Sequence, residues 1–189
     1  MPPKTKFSRD TIIDAAFNIA MREGIYSITI RKVAEHLGSS IAPIYVNFTD
    51  VAELIQVVVQ RIFAFSDEYL LSQDTGQPFH DIGVATLRFA REYPLLFRDM
   101  VMRPNPYLQH EPSEMNSIID RMKTDPELAD FTDEELMPIL LKMRIFTLGL
   151  SVMTANSLLP EGFNDIEVMD STSADIIAAA RMRQKGEQL

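Results

Sequence analysis

The chain has 189 residues, with hydrophobic and charged fractions of 46% and 24% that are ordinary for a soluble globular protein able to bury a core. Its lack of cysteine excludes disulfides, thiolate metal sites and a cysteine nucleophile, and with no signal-peptide pattern it leads us to expect a cytoplasmic protein. The net charge of −9 is uneven, because residues 1–50 carry six basic and five acidic side chains and the excess acidity lies in residues 51–189.

The N-terminal part of the sequence predicts a short arm and two helices. Residues 1–7 form the arm, which contains lysines and prolines. Ser8 is placed to cap the first helix, whose apolar residues recur at helical spacing until Gly24. The second helix is predicted over residues 29–37, with Thr29 as its cap.

A third helix is predicted after a glycine-containing turn. Gly38 ends the second helix where a left-handed residue is expected, and residues 41–48 form the third helix with Pro43 in its first turn. Ser39 or Ser40 is expected to cap it. Helix, glycine-containing turn and short helix is the pattern of a helix-turn-helix, whose second helix enters the major groove of DNA.

Six further helices follow in the sequence. Periodicity, capping residues and prolines place them at about residues 51–71, 79–92, 95–102, 113–123, 133–158 and 165–182. Asp50 is the predicted cap of the fourth helix, and Thr132 and Glu135 have the spacing of a capping box. Pro138 is expected to kink its helix. No segment has a useful strand period, so the predicted fold class is all-α with about nine helices.

Residues 8–54 resemble, without a gap, the N-terminal domain of the TetR family of transcriptional regulators. The resemblance is carried by Ser8, Arg9, Ile12, Ile13, Ala15, Ala16, Phe17, Gly24, Thr29, Arg31, Val33, Ala34, Leu37, Gly38, Ser40, Ile44, Tyr45, Phe48 and Leu54. It implies a helix-turn-helix DNA-binding domain at residues 1–50 and a helical effector-binding and dimerisation domain at residues 51–189. Beyond residue 54 the chain matches the family only in helical content and length.

The resemblance implies that the third helix and its surroundings contact DNA. Hydroxyl, amide and basic side chains can bond base edges or phosphates, and small apolar side chains can pack on a thymine methyl group. The residues expected to contact DNA are Lys4, Lys6, Arg9, Thr29, Arg31, Ser39, Ser40, Ala42, Pro43, Tyr45 and Asn47. Solubility explains the basic residues of the arm equally well.

Three residues depart from the family pattern, and each departure lowers the expected affinity for DNA. Val46 stands where the family usually has an aromatic or polar residue, and Val51 where it usually has a phosphate-binding lysine. Pro43 replaces a residue that often carries a hydroxyl, so contact with bases is expected to be largely apolar. Ile44 and Phe48 are expected to point into the core instead.

The C-terminal part is rich in methionine and aromatic residues. Methionine adapts to irregular shapes, so such a set can line a pocket for an apolar ligand, although each residue alone is equally well explained as core. The resemblance implies a pocket for a small-molecule effector, with candidates Phe63, Phe89, Tyr93, Phe97, Met100, Met122, Met143, Arg144 and Phe146. Arg144 is expected to pair with an acidic side chain or, alternatively, with an anionic group of the ligand.

The eighth helix is apolar on more than one face, because Lys142 and Arg144 are the charged residues between Leu136 and Leu158. Such a helix needs cover on two sides, and a second subunit can provide the second cover. The resemblance implies a homodimer built from the last two helices, with candidate interface residues Gly149, Leu150, Ser151, Met153, Ala155, Ile176, Ile177 and Ala180. The alternative is a monomer whose own helices cover both sides.

The resemblance therefore implies a transcriptional repressor that leaves a palindromic double-stranded DNA operator when a small molecule binds, and the methionine-rich composition favours a largely apolar ligand. The fourth helix is expected to transmit ligand binding in the C-terminal domain to the DNA-binding domain. A helical protein-interaction module that has lost DNA binding and an enzyme are the alternatives. Catalysis is disfavoured because His36, His80 and His110 lie far apart and no zinc-binding or phosphate-cradling motif occurs. No cofactor, metal site or membrane partner is expected.

Overall fold

The computed structural model describes residues 7–72, 75–107 and 112–186 of the chain. Within these residues the regular secondary structure is helical, without a strand. The helices are α1 (Arg9–Glu23), α2 (Ile30–His36), α3 (Ala42–Asn47), α4 (Val51–Leu71), α5 (Pro78–Glu92), α6 (Pro94–Phe97), α7 (Pro112–Met122), α8 (Asp133–Ala155) and α9 (Asp165–Gln184). The predicted all-α class with about nine helices is confirmed.

Local capping explains where several helices begin. Ser8 at α1, Thr29 at α2 and Asp50 at α4 each accept a backbone N–H from the first turn of the helix. Thr132 and Glu135 form the predicted reciprocal capping box at α8. These predicted helix starts are confirmed, because a cap depends on residues that are neighbours in sequence.

The start of α3 differs from the prediction. Ile41 occupies the N-cap position with helical backbone angles, and no side chain bonds the first N–H groups of α3. The expectation that Ser39 or Ser40 caps this helix is therefore wrong, because Ile41 separates both serines from its first turn.

Two predicted helix ends and one predicted helix also need correction. The predicted sixth helix is present as α6, but its second half, Arg98–Met102, is a π-helical turn. The eighth helix runs without interruption through Pro138 but ends at Ala155, before Ser157 adopts a left-handed φ of 54°. The ninth helix continues to Gln184.

The structure divides into two compact units. One comprises Met1–Asp67 and Tyr93–Gln109, and the other comprises Glu68–Glu92 and His110–Leu189. The first unit is discontinuous in sequence, because α6 and the π-helical turn join the helices of the N-terminal part. The predicted functional division into residues 1–50 and 51–189 is a different partition of the chain, and it stays a prediction.

In the first unit, α1 packs against α2, α3 and α6. The buried side chains of α1 are Ile12, Ile13, Ala15, Ala16, Ile19 and Ala20. Ile44 of α3 and Phe48 at its end are 0% and 2% exposed, so the prediction that both point into the core is confirmed. Their burial fixes the rotation of α3 about its own axis.

A buried carboxylate joins the end of α1 to the π-helical turn within the first unit. Gly24 has φ 87° and ψ 162°, a conformation that essentially only glycine adopts. The next residue, Ile25, donates its N–H to Asp99 Oδ2 at 2.9 Å, and Asp99 is 1% exposed. Arg98 and Arg103 lie 3.2 and 3.5 Å from Asp99 Oδ1, so the buried charge is paired and hydrogen-bonded.

In the second unit, α8 packs against α5, α7 and α9. The core comprises Phe79, Val84, Leu87, Ile119, Met122, Leu128, Phe131, Leu136, Ile139, Leu140, Met143, Leu150, Met169, Ile177 and Ala180. Gly83 lets α5 approach α9, because a Cβ at that position would overlap the sulfur of Met169. Among the described residues, α8 alone is long and apolar enough to cross a membrane, which is weak evidence because core helices share these properties.

Candidate nucleic-acid interface, ligand pocket and dimer surface

A tight turn between α2 and α3 sets the direction of α3. Gly38 has a left-handed φ of 59°, and its N–H donates to Glu35 O at 3.0 Å. The N–H of Ser39 donates to Ala34 O at 2.9 Å, which closes the end of α2. Pro43 then lies in the first turn of α3, where its missing N–H costs no helical bond.

The outer face of α3 and of the residue before it is apolar. Ile41, Tyr45 and Val46 are 48%, 53% and 71% exposed, and Ala42 is exposed with them. Ala42, Tyr45 and Val46 are separated by three and four residues, so they share one side of the helix. Ser40 is exposed just before them and adds a hydroxyl group.

Asn47 is turned back onto its own helix. Its Nδ2 donates to Pro43 O at 2.8 Å, and the side chain is only partly exposed. The amide is therefore occupied by a backbone carbonyl in this conformation. Val46 is more exposed than Asn47 on this helix, and the contact of Asn47 with DNA stays a prediction.

The start of α2 presents two of the predicted phosphate contacts. Thr29 and Arg31 are both exposed. Thr29 Oγ1 accepts the N–H of Lys32 at 3.2 Å, which leaves its hydroxyl hydrogen able to donate to a phosphate. Lys32 itself is paired with Glu23 at 2.5 Å, so it is a solvated ion pair on the surface of the first unit.

Arg9 is held by its own protein. Its guanidinium lies 4.6 Å from the centroid of the Phe48 ring and 3.3 Å from a carboxylate oxygen of Glu53. Hydrogen bonds from Thr49, followed by that from Arg9, hold the pKa of the Glu53 carboxyl below its ordinary value. A phosphate contact by Arg9 would have to share this guanidinium with Glu53, and the predicted contacts Lys4 and Lys6 lie outside the described residues.

The residues predicted to line an effector pocket belong to both units. The first unit contains Phe63, Tyr93, Phe97 and Met100, and the second contains Phe89, Met122, Met143, Arg144 and Phe146. In the first unit the Tyr93 ring packs edge-on against Phe65, with 5.4 Å between centroids. In the second, Met122 and Met143 are part of the core. The pocket itself stays a prediction.

Arg144 does not have the acidic partner that we expected. It is exposed, and its Nη1 lies 3.1 Å from the sulfur of Met115. Among the described residues no carboxylate forms an ion pair with it. An exposed guanidinium is solvated by water and needs no such partner, and the alternative of an anionic group of the ligand stays a prediction.

A cleft of about 310 Å³ lies in the second unit. Its lining residues are Gln77, Phe79, His80, Asp125, Glu127, Asp170, Ser173, Ala174 and Ile177. His80 Nδ1 lies 2.8 Å from Asp170 Oδ1, and the buried Asp125 carboxylate accepts the N–H groups of Phe79 and Glu127. None of the residues predicted for the effector pocket lines this cleft.

The predicted dimer residues fall into a buried and a more exposed group. Those in the core of their own unit are Leu150, Ser151, Ile177 and Ala180, at 6%, 0%, 7% and 9% exposure. Those at least partly exposed are Gly149, Met153, Ala155 and Ile176. The structure therefore removes the first group from the surface that a partner could cover.

Apolar residues that the sequence reasoning omitted extend the exposed group along α8. Leu141 and Ile145 are 44% and 73% exposed, and Gly149 and Met153 continue the same line at intervals of four residues. We call these four residues the α8 stripe. Their helical spacing was readable from the sequence, but the sequence did not tell which apolar face of α8 points outward.

One further functional candidate and one buried structural residue were not predicted from the sequence. Val46 was counted only as a departure from the family pattern, although helical spacing places it beside Ala42 and Tyr45. Asp99 gave no signal, because its partner Ile25 is distant in sequence. In the described part of the chain no group of three or more histidine, aspartate or glutamate side chains could hold a metal ion.

The fold and the turn geometry define an all-α protein with an N-terminal helix-turn-helix. Its fold is that of the TetR-like transcriptional regulators, and the predicted resemblance is confirmed at that level. A TetR-like regulator from Rhodococcus sp. RHA1 superposes with a TM-score of 0.59 at 15% identity, covering 95% of this chain and 97% of that one.

Two further solved structures have the same fold. A TetR-family regulator from Haemophilus influenzae gives a TM-score of 0.57 at 19% identity, covering 90% of this chain and 94% of its own. SmeT, the repressor of the Stenotrophomonas maltophilia multidrug efflux pump SmeDEF, gives 0.55 at 19% identity, with 93% and 91% covered. No protein-family model matches the sequence, and no curated protein matches it significantly.

Proposed function

We propose that this chain is a DNA-binding transcriptional regulator of the TetR type that acts on a double-stranded operator. The observation that carries the proposal is the placement of α3. Ile44 and Phe48 hold one face of α3 in the core, and the opposite face, with Tyr45, is exposed after a tight turn. In a helix-turn-helix this exposed face enters the major groove.

The regulator is proposed to be a cytoplasmic homodimer that uses the α8 stripe as part of its interface. A two-fold axis then requires a roughly palindromic operator, with half-sites separated by a whole number of turns of about 10 base pairs. The exposed apolar residues Leu141, Ile145 and Met153 support this role, because water-exposed apolar stripes of this kind mark association surfaces.

Repression is proposed to end when a largely apolar small molecule binds. The ligand acts by preferring the state in which the two copies of α3 no longer fit successive major grooves. Helix α4 is proposed to transmit ligand binding to the DNA-binding helices. Its N-terminus follows α3 directly in the chain, and its residues belong to both compact units. The proposal of repression is supported by the fold that the chain shares with SmeT, the repressor of a multidrug efflux pump.

Replacing Tyr45 tests the DNA-binding proposal. Tyr45→Ala is expected to abolish specific retardation of the protein's own upstream intergenic DNA, because it removes the largest side chain exposed on α3. Tyr45→Phe keeps the ring and is expected to lose only the contribution of the hydroxyl. The measurement is a mobility shift with circular dichroism as the fold control, and unchanged operator affinity of Tyr45→Ala would refute this docking of α3.

One observation favours the alternative of a protein-interaction module. Arg9 and Lys32 are paired with Glu53 and Glu23 rather than presented alone, which weakens the attraction to phosphate. The same mobility-shift experiment separates the two proposals. Absence of specific retardation on any duplex favours the interaction module, whereas retardation that weakens steeply with salt favours the regulator.

A further inference from the structure

The segment that would face the bases carries no charged residue. From residue 37 to residue 49 the sequence is LGSSIAPIYVNFT. Guanine is usually recognised by the paired donors of arginine or lysine, and adenine by the amide of asparagine or glutamine. The single amide here, that of Asn47, is bonded to Pro43 O at 2.8 Å. Residues 37–49 therefore offer no arginine, lysine, glutamine or carboxylate for base recognition, and their one amide already has a backbone acceptor in this conformation.

The side chains that α3 presents are largely apolar. Val46 is its most exposed large apolar side chain at 71%, and Tyr45 and the preceding Ile41 are about half exposed. Ala42 lies between Tyr45 and Val46 on the same side of the helix. In the major groove, the base feature that favours apolar contact is the 5-methyl group of thymine.

We propose that α3 selects its operator through thymine 5-methyl groups, with Val46 as the main contact and Ile41, Ala42 and Tyr45 around it. This inference rests on the proposed DNA-binding function and adds the chemical feature that α3 recognises. Specificity arises because a methyl group that packs against Val46 leaves water, whereas cytosine offers a polar donor that this surface does not match. Each half-site of the operator accordingly contains at least one thymine that faces α3.

Deoxyuridine substitution tests this inference without altering base pairing. Each thymine of the retarded duplex is replaced in turn, symmetrically in both half-sites, and affinity is measured by fluorescence anisotropy. At the contacted position the affinity is expected to fall about fourfold for each methyl group removed, or about 15-fold for the symmetric pair. A duplex with 5-methylcytosine at that position is compared with one that has cytosine there. The two duplexes differ only in the methyl group, so the comparison separates the methyl group from the rest of the base pair.

A double-mutant cycle assigns the contact to Val46. In Val46→Ala, the loss on thymine-to-uracil replacement is expected to shrink to less than twofold at the contacted position, because the partner of the methyl group is gone. Val101→Ala is the matched control, since Val101 is 45% exposed in the π-helical turn and the same atoms are removed. In Val101→Ala, replacement of thymine by uracil is expected to lower the affinity for DNA as much as it does in the wild type.

The outcomes distinguish this inference from the proposed function. Specific retardation with a uracil effect that depends on Val46 supports both. If specific retardation persists and no uracil replacement weakens it, recognition of the methyl group is overturned while the proposed function stands. If the loss of affinity on uracil replacement is the same in Val46→Ala as in the wild type, the assignment to Val46 is overturned. A chain that retards no duplex specifically overturns the proposed function and the inference together.

Discussion

Gly24→Ala is expected to lower the free energy of unfolding of the protein by about 3 kcal/mol, or roughly 6–12 °C in melting temperature for a chain of this length. The φ of 87° with ψ of 162° is strained for alanine, and the new methyl group would overlap the carboxylate of Asp99. The carboxylate cannot simply withdraw, because it accepts the N–H of Ile25. Thermal and denaturant unfolding followed by circular dichroism measure the effect.

Gly38→Ala is the matched control for this prediction. Gly38 also has a positive φ, 59°, but nothing lies within 4 Å of its hypothetical Cβ, so the expected cost is only about 1 kcal/mol. In the double variant Gly24→Ala/Asp99→Ala, the loss of unfolding free energy is expected to be smaller than the sum of the losses in the two single variants. The reason is that the alanine at position 99 no longer overlaps the methyl group at position 24. Equal destabilisation by the two glycine replacements would show that the Asp99 contact is not the cause.

Ile145→Glu is expected to convert the proposed dimer into monomers. Ile145 is 73% exposed in the centre of the α8 stripe, so the replacement leaves the core of the second unit undisturbed. At a two-fold interface each subunit places the same residue in the contact, and two carboxylates would have to be buried without partners. Sedimentation velocity or light scattering at several concentrations measures the state of association.

Ser117→Glu on α7 is the control for Ile145→Glu, because it adds the same charge at another exposed position of the second unit. It is expected to remain dimeric. Leu150→Glu, an obvious choice from sequence alone, is unsuitable because Leu150 is 6% exposed and a charge there would disrupt the core. A dimer that survives Ile145→Glu, or a wild-type protein that is itself monomeric, contradicts the proposed interface.

Most features that depend on neighbouring residues were predictable from the sequence, although the cap of α3 was not. The caps Ser8, Thr29 and Asp50 and the capping box of Thr132 with Glu135 satisfy backbone groups within four residues, so their spacing alone predicts the helix starts. The same locality explains the helix-turn-helix, whose turn and buried anchors are close together in sequence.

Features that depend on distant residues were not predictable. Asp99 looks like an ordinary polar residue until the fold brings it to Ile25, and the residues of the cleft come from three separate segments. Helix α8 is apolar on several faces, so its periodicity predicted burial without assigning faces. Leu150 and Ile145 were therefore equivalent in sequence but are 6% and 73% exposed in the structure.

The candidate DNA-binding face was predictable only in part. The position of Tyr45 on the outer face of α3 was implied by the family resemblance, and its exposure of 53% agrees with that placement. Asn47 has the chemistry of a base contact, but its amide has a nearer acceptor in Pro43 O. Side-chain competition of this kind depends on rotamers, which a sequence pattern does not specify.

The most direct test of this account is selection of duplexes from a random-sequence pool by the purified full-length protein, followed by sequencing. We expect enrichment of a two-fold symmetric sequence whose half-sites are a whole number of helical turns apart and contain thymines at fixed positions. Enrichment that fades as salt is raised would agree with phosphate contacts that position α3. A pool that remains as random after several rounds as it was at the start would contradict the claim that this chain recognises DNA.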